Sequence, residues 1–249
     1  MLRLLLRVLS LLFGHVVFTM RTGVAKGLKR RYGLGFRPRL SLAEEEKFLL
    51  GLDLRGHTVY DVGGYIGIMT LFFSRAVGEQ GRVVTFEPNP RNYEELLANL
   101  RLNPCRNVST FPFGVGDEAG ELEMVTDPLY PTRGTFADTK KPALRARRGH
   151  DTYVIKVVSL DEFIAEQGLP LPDLVKIDTE GFEAEVLRGM SRTLEERKPA
   201  LFVELHGRAV ESVVGLLLSS GYSIHHVESN SSISTSDPLP VSAGHLYCV

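Results

Sequence analysis

Short apolar runs alternate with stretches of helical spacing through most of the chain. Val59–Val62, Val83–Glu87 and Val108–Val115 are predicted strands. Leu42–Leu52, Ile68–Val77 and Arg91–Leu102 are predicted helices around them. Ser41 can cap the first helix, with Glu44, Glu45 and Glu46 at the positive end of its dipole. Gly78 stops the second. Asn89-Pro90 opens the third with a capping side chain and a proline at the first helical position. Glu121–Val125 and Tyr153–Val158 form an added antiparallel pair. Ser159-Leu-Asp-Glu162 reads as a capping box for a short helix ended by Gly168. Leu174–Ile177 and Ala200–Leu205 are further strands, Phe182–Arg197 and Ala209–Ser220 further helices. Tyr222–Val227 and His245–Val249 close the chain as a strand pair around a Ser/Asn/Pro loop.

This alternation predicts an α/β fold with a doubly wound, mostly parallel sheet and an antiparallel edge. In such sheets ligands bind outside the carboxyl ends of the strands, at the switch point. The residues to inspect are therefore those that follow strand ends.

The N-terminal 40 residues differ from the rest. Residues 1–43 contain nine Lys/Arg and no Asp/Glu, leaving twenty basic against thirty acidic side chains beyond them. Val8–Met20 is apolar but too short and interrupted to span a bilayer. Arg3 and Arg7 before it resemble a signal peptide, without a clean cleavage site. At helical spacing Arg3, Arg7, Ser10, Gly14 and Arg21 share a stripe, so residues 1–40 are expected to form a basic, partly amphipathic helical arm. It would pack on the body or on a second subunit, giving a homodimer, or lie at an anionic membrane surface. Residues 41–249 would form the main domain, with a basic insertion at 131–150. Two cysteines make neither a disulfide framework nor a metal cluster, and a reducing, cytoplasmic compartment is the default.

Asp61-Val-Gly-Gly-Tyr-Ile-Gly67 joins a strand to a helix. Gly63 and Gly64 permit a tight bend and close approach of a ligand, and Gly67 lets the helix pack near the strand. A dinucleotide fingerprint needs G-x-G-x-x-G to admit a pyrophosphate. Here Tyr65 breaks that spacing. Asp61 would repel phosphate but suits the ammonium of a methionine moiety. Glu87, ending the next strand, suits two ribose hydroxyls, and Asp117, after the third, an adenine amino group. This set matches S-adenosylmethionine better than a dinucleotide.

Val175-Lys-Ile-Asp178-Thr-Glu180-Gly-Phe-Glu183 puts carboxylates at the same edge. Glu183 is expected to open a helix, where an acid is favoured by the dipole. One strand on, Glu204 and His206 share a face. His206 or Asp178 would be the general base, with Glu180 orienting the acceptor. Asp178, Glu204 and His206 could also hold a divalent cation, but their spacing is not diagnostic and no metal is assigned.

The segments DVGGYIG, GRVVTFEPNPRNYEELLANLRLN, FGVGDEAGELEM, LVKIDTEGFEAEVLRGM and PALFVELH, in that order, resemble the FkbM family of methyltransferases. The resemblance covers about Leu42 to His206. It implies a Rossmann-like class I fold with a seven-stranded sheet, S-adenosylmethionine as cofactor and cofactor contacts at Asp61, Gly63, Glu87 and Asp117. It also implies methyl transfer to a hydroxyl of a sugar, glycan or natural product. The family often has Ala-Asn where this chain has Gly64-Tyr65. Three other functions stand as alternatives: methylation of RNA or another anionic substrate, an NAD-dependent oxidoreductase, and a non-catalytic membrane-associated domain. Pro131–His150 carries six Lys/Arg against Asp138, but Phe136 is its only aromatic, so nucleic acid is a poor partner.

Overall fold

A computed structural model of the chain describes residues 16–31, 42–126, 134–135, 150–207, 210–234 and 243–249. Its centre is an eight-stranded sheet. The strands are β3 (Thr58–Val62), β4 (Arg82–Phe86), β5 (Val108–Phe111), β10 (Leu174–Ile177), β11 (Ala200–Leu205), β12 (Ile224–His226), β13 (Ser231–Ile233) and β14 (Gly244–Cys248), in the order β13-β12-β14-β11-β10-β3-β4-β5. The five strands from β11 to β5 are parallel, and β14, β12 and β13 add antiparallel pairings. Seven strands were expected; the eighth is the short edge strand β13. The chain runs outward from β3 in one direction and from β10 in the other. The switch point therefore lies between β3 and β10, where Asp61 and Lys176 are direct cross-strand partners.

Helices α1 (Glu44–Leu50), α2 (Ile68–Val77), α3 (Pro90–Arg101), α4 (Leu160–Gln167), α5 (Glu183–Arg188), α6 (Ser191–Glu196) and α7 (Val210–Ser219) accompany the sheet. One core cluster joins Val62, Phe86 and Ile177 to α4–α7. A second joins Val59 and Val83 to Leu49, Phe72 and Phe73. The central strands are thus buried on both faces, which is why they read as continuous apolar runs.

Several boundaries fall where local chemistry predicts. Asn89 caps α3, its side chain accepting from the Arg91 N–H at 3.0 Å, with Pro90 at the first position. Gly168, at φ +60°, ends α4. Others differ. The expected strand Val108–Val115 is two strands, β5 and β6 (Gly114–Gly116). Pro112 lies between them and has no N–H to donate to a ladder. β6 leaves the main sheet to pair with β9 (Thr152–Ser159), which also pairs antiparallel with β7 (Gly120–Thr126); β8 (Gly134–Thr135) completes that sheet. The capping box at Ser159 does not form: the hydroxyl donates to the Gly189 carbonyl instead. Phe182–Arg197 divides into α5 and α6 around Gly189. A Cβ at Gly189 would lie 1.8 Å from the Gly116 carbonyl oxygen, so the break lets β6 pack there.

The N-terminal arm also differs from expectation over residues 16–31. It is a hairpin of β1 (Val17–Thr19) and β2 (Lys29–Arg31), not a helix. Val16, Val17 and Phe18 favour strand, and Gly23 and Gly27 adopt φ +78° and +87°, which helix excludes. The remaining parts of the arm, 1–15 and 32–40, lie outside the described residues, as do Ser41 and most of the 131–150 insertion.

Candidate active site

Two loops meet at the switch point. Gly63 takes φ +83°, and a Cβ there would lie 1.8 Å from the Asp178 carbonyl oxygen. Glycine is required because the ends of β3 and β10 touch. A Cβ at Gly64 would lie 2.3 Å from Thr85 Oγ1, and one at Gly67, at φ +85°, 3.1 Å from Leu96. The loop is thus pressed on β4 and α3. Tyr65 sits at φ 51°, a left-handed conformation that costs a non-glycine residue energy. Its N–H is thereby aimed at Glu87 Oε2, 2.8 Å away.

Glu87 is buried. Its Oε1 accepts from the Asn89 N–H at 2.8 Å and from Asn92 Nδ2 at 3.1 Å. Burial still pushes its carboxyl up to about 7, against these hydrogen bonds. Oε2 accepts from the Tyr65 N–H, and a carboxylate oxygen has a second lone pair that a ligand hydroxyl can use.

Asp61 is fully buried. Thr70 Oγ1 donates to its Oδ2 at 2.7 Å, and Lys176 Nζ lies 3.4 Å from its Oδ1, an ion pair beyond hydrogen-bond geometry. Lys176 also donates to the Gly63 carbonyl at 2.8 Å and stands 3.3 Å from Asp178 Oδ2. Burial would lower the Lys176 pKa, but Asp178, Asp61 and Glu204 outweigh it and raise it. Asp178 is raised, by burial first, against the pull of Lys176. One ammonium therefore ties the cofactor loop to the second motif. Sequence reasoning missed Lys176, although a lysine inside an otherwise apolar four-residue strand was the available signal.

Around His206 the acids converge. Its Nδ1 lies 3.0 Å from Glu183 Oε1, and its Nε2 lies 3.5, 3.8 and 3.9 Å from Glu204, Glu180 and Asp178. Burial opposes charging the ring, but hydrogen bonds with Glu183 and Glu204 and the surrounding charge push it up to about 10. At neutral pH His206 is an imidazolium. In that form the ring holds both protons and donates rather than accepts, which favours Asp178 over His206 as the general base. Glu183, expected to serve a helix dipole, is a fully buried clamp. Its Oε1 also accepts from the N–H groups of Thr179 at 3.2 Å and Gly181 at 2.8 Å. Those bonds hold the turn that carries Glu180 at φ 56°. The set continues outward: Glu204 Oε2 is 3.6 Å from His245 Nε2, and Glu228 Oε1 is 2.5 Å from His245 Nδ1.

Asp178, Glu180 and His206 are thus brought together, and Asp61, Gly63 and Lys176 adjoin them. Asp117 stands apart. It follows β6, is exposed, and its Oδ1 accepts from the Glu118 N–H at 3.1 Å. The ligand atoms of Asp178, Glu204 and His206 lie within 4.8 Å of one another, close enough to share a divalent cation.

The loop fits an adenosyl amino acid. Asp61 Oδ1 is buried without a hydrogen bond, Glu87 retains acceptor capacity, and the glycine bend leaves no room for side chains. Residues 61–228 match the methyltransferase FkbM domain. Over 200 residues the chain is 27% identical to the hexuronic acid methyltransferase AglP of Haloferax volcanii, covering 74% of this chain and 77% of that protein. Over 206 residues it is 29% identical to the 31-O-demethyl-FK506 methyltransferase FkbM of Streptomyces tacrolimicus, covering 70% and 76%. The crystal structure of methyltransferase FkbM from Methylobacillus flagellatus superposes with a TM-score of 0.54 at 20% identity, over 80% of this chain and 45% of that one, a likeness of fold. The chain belongs to the FkbM family of methyltransferases, and its cofactor is S-adenosylmethionine.

Proposed function

We propose that this chain methylates a hydroxyl group of a sugar, glycan or related natural product. The observation that carries the reading is the ring of carboxylates from Asp178, Glu180 and Glu204 around the His206 imidazolium, beside Gly63. Carboxylates accept hydrogen bonds from several hydroxyls at once, as a polyol offers. The two relatives above are named for a hexuronic acid and for 31-O-demethyl-FK506. The competing reading, an RNA or other polyanion, rests on the 131–150 insertion, most of which lies outside the described residues.

S-adenosylmethionine supplies an electrophilic methyl group on a sulfonium. The protein's part is to hold the acceptor in line and take its proton. Asp178 is the base in this reading. Burial raises its pKa, so its carboxylate is more basic than an ordinary one. Glu180 orients the acceptor, and the His206 imidazolium steadies the acids around it. The cofactor residues in this reading are Asp61, Gly63, Gly64, Gly67 and Glu87, with Asp117 reaching the adenine. Peripheral membrane contact by the arm draws on its charge and on exposed Val16 and Val17. Among the described residues no helix is long and apolar enough to cross a membrane.

The test is incubation with isotopically labelled methyl donor and a panel of neutral and acidic sugars, followed by mass spectrometry. Label on a sugar oxygen is expected. Label confined to nitrogen, or to RNA, would sink the proposal. Asp178→Asn should lower turnover by about 10²–10⁴-fold. Full turnover in that variant would remove Asp178 from the base role.

A further inference from the structure

The N-terminal hairpin is fastened to the helix behind the cofactor loop. Two asparagine amides, Asn99 of α3 and Asn103 just past its end, take the place of a neighbouring strand along β2. The Lys29 N–H donates to Asn103 Oδ1 at 2.9 Å, and the Lys29 carbonyl accepts from Asn103 Nδ2 at 2.7 Å. The Arg31 N–H donates to Asn99 Oδ1 at 2.9 Å, and Asn99 Nδ2 donates to the Ile66 carbonyl at 2.8 Å. One buried amide thus joins the hairpin to the cofactor loop. On the other side Arg75 of α2 donates to the carbonyls of Val24 at 2.5 Å and Lys26 at 2.6 Å.

This framework sets Arg30 between two tied residues. Arg30 is only 6% exposed. Its guanidinium stands 5.6 Å from the centre of the Phe18 ring, and its Nε donates to the Arg31 carbonyl at 3.2 Å. Among the described residues no carboxylate lies within ion-pair distance of it. The ionisable groups that act on it are Tyr65, in the cofactor loop, and Glu95 on α3. Burying a cation without an anion is costly, so an incoming anion would stabilise Arg30.

The cofactor's amino-acid end carries an ammonium and a carboxylate. Asp61, Asp178 and Glu87 around the loop are acids, suited to the ammonium and the ribose. Lys176 is engaged by Asp61 and Asp178. The cofactor carboxylate therefore lacks a cation in the loop itself. We propose that Arg30, delivered by the N-terminal hairpin, binds the cofactor's carboxylate, which makes the hairpin part of the cofactor site although it lies outside the matched family domain. The inference rests on the adenosylmethionine reading of the loop.

Calorimetry on the full chain separates the two. The ligands are S-adenosylhomocysteine, which has the carboxylate, and decarboxylated S-adenosylmethionine, which keeps an ammonium and lacks it. Arg30→Gln should weaken S-adenosylhomocysteine by about 10–100-fold and leave the decarboxylated ligand within about twofold, the range of charge-assisted hydrogen bonds. Arg30→Lys, which keeps the charge, should restore part of the loss. Equal loss for both ligands, or no loss for either, would overturn the assignment. Should Arg30→Gln not fold, the comparison passes to Arg30→Lys, where a loss restricted to S-adenosylhomocysteine supports the assignment and an equal or absent loss overturns it. Failure of the unaltered protein to bind S-adenosylhomocysteine at all would instead refute the reading of the loop.

Discussion

His206 Nδ1 lies 3.0 Å from Oε1 of Glu183, a carboxylate with no solvent exposure. The pair joins the end of β11 to the turn after β10. Glu183 is lowered below the usual carboxylate range: burial raises it, but the hydrogen bond from His206 and the Gly181 N–H outweigh that. Removing Glu183 takes away the shortest partner of the His206 ring and the acceptor of the Thr179 and Gly181 N–H groups at once. Glu183→Ala is expected to destabilise the domain by about 3–5 kcal/mol. Urea unfolding checks this, and a loss below about 1 kcal/mol would show the clamp to be incidental.

The His206 charge makes stability pH-dependent. Its folded pKa, about 10, lies above its ordinary 6.5. Its contribution is fully present below about pH 6.5 and is lost as pH rises toward 10. His206→Gln should flatten the fall in unfolding midpoint over that interval. Parallel pH curves for the two proteins would refute the assignment of charge.

Cofactor affinity should depend on Glu87. Its carboxyl, pushed up to about 7, is partly protonated in the free protein at neutral pH. Ribose hydroxyls that donate to it favour the ionised form, so binding releases a proton. S-adenosylhomocysteine should bind more tightly as pH rises toward 7, by up to about tenfold per unit, and level off above it. Calorimetry in buffers of different ionisation enthalpy measures the proton directly.

Lys176 is buried between Asp61 and Asp178. Lys176→Met strands the fully buried Asp61 and should cost about 3–5 kcal/mol. Asp61→Asn in the same chain should recover a large part of it. A double variant no more stable than Lys176→Met would show that the two groups are not coupled.

Tyr65 holds φ 51°, in the left-handed region. Asparagine tolerates this conformation. Tyr65→Asn should raise stability by about 1 kcal/mol, read as a higher melting temperature. A lower melting temperature would mean that the Tyr65 ring makes contacts worth more than the strain.

Much of the frame was legible in the sequence. Ile68–Val77, Leu174–Ile177 and Ala200–Leu205 match their predicted bounds, because each is a buried apolar run closed by Gly78, Asp178 or His206. The glycine loop was legible too, since the close approach of β10 to Gly63 admits no side chain. The hairpin at 16–31 was not, because its outer edge is completed by the side chains of Asn99 and Asn103, some seventy residues away.

What the chain order determined alone is the set of strand ends and the titratable groups they carry: Asp61, Glu87, Asp178, Glu204 and His206. Only the tertiary structure decided their charges and their partners. Asp178 and Glu204 are presented by neighbouring strands, and Glu183 is turned inward against His206 rather than along its own helix. A side chain's protonation depends on what lies within a few ångströms of it in space. The pairing of β3 with β10 and of β10 with β11, which the spacing of motifs along the chain does not encode, sets that distance.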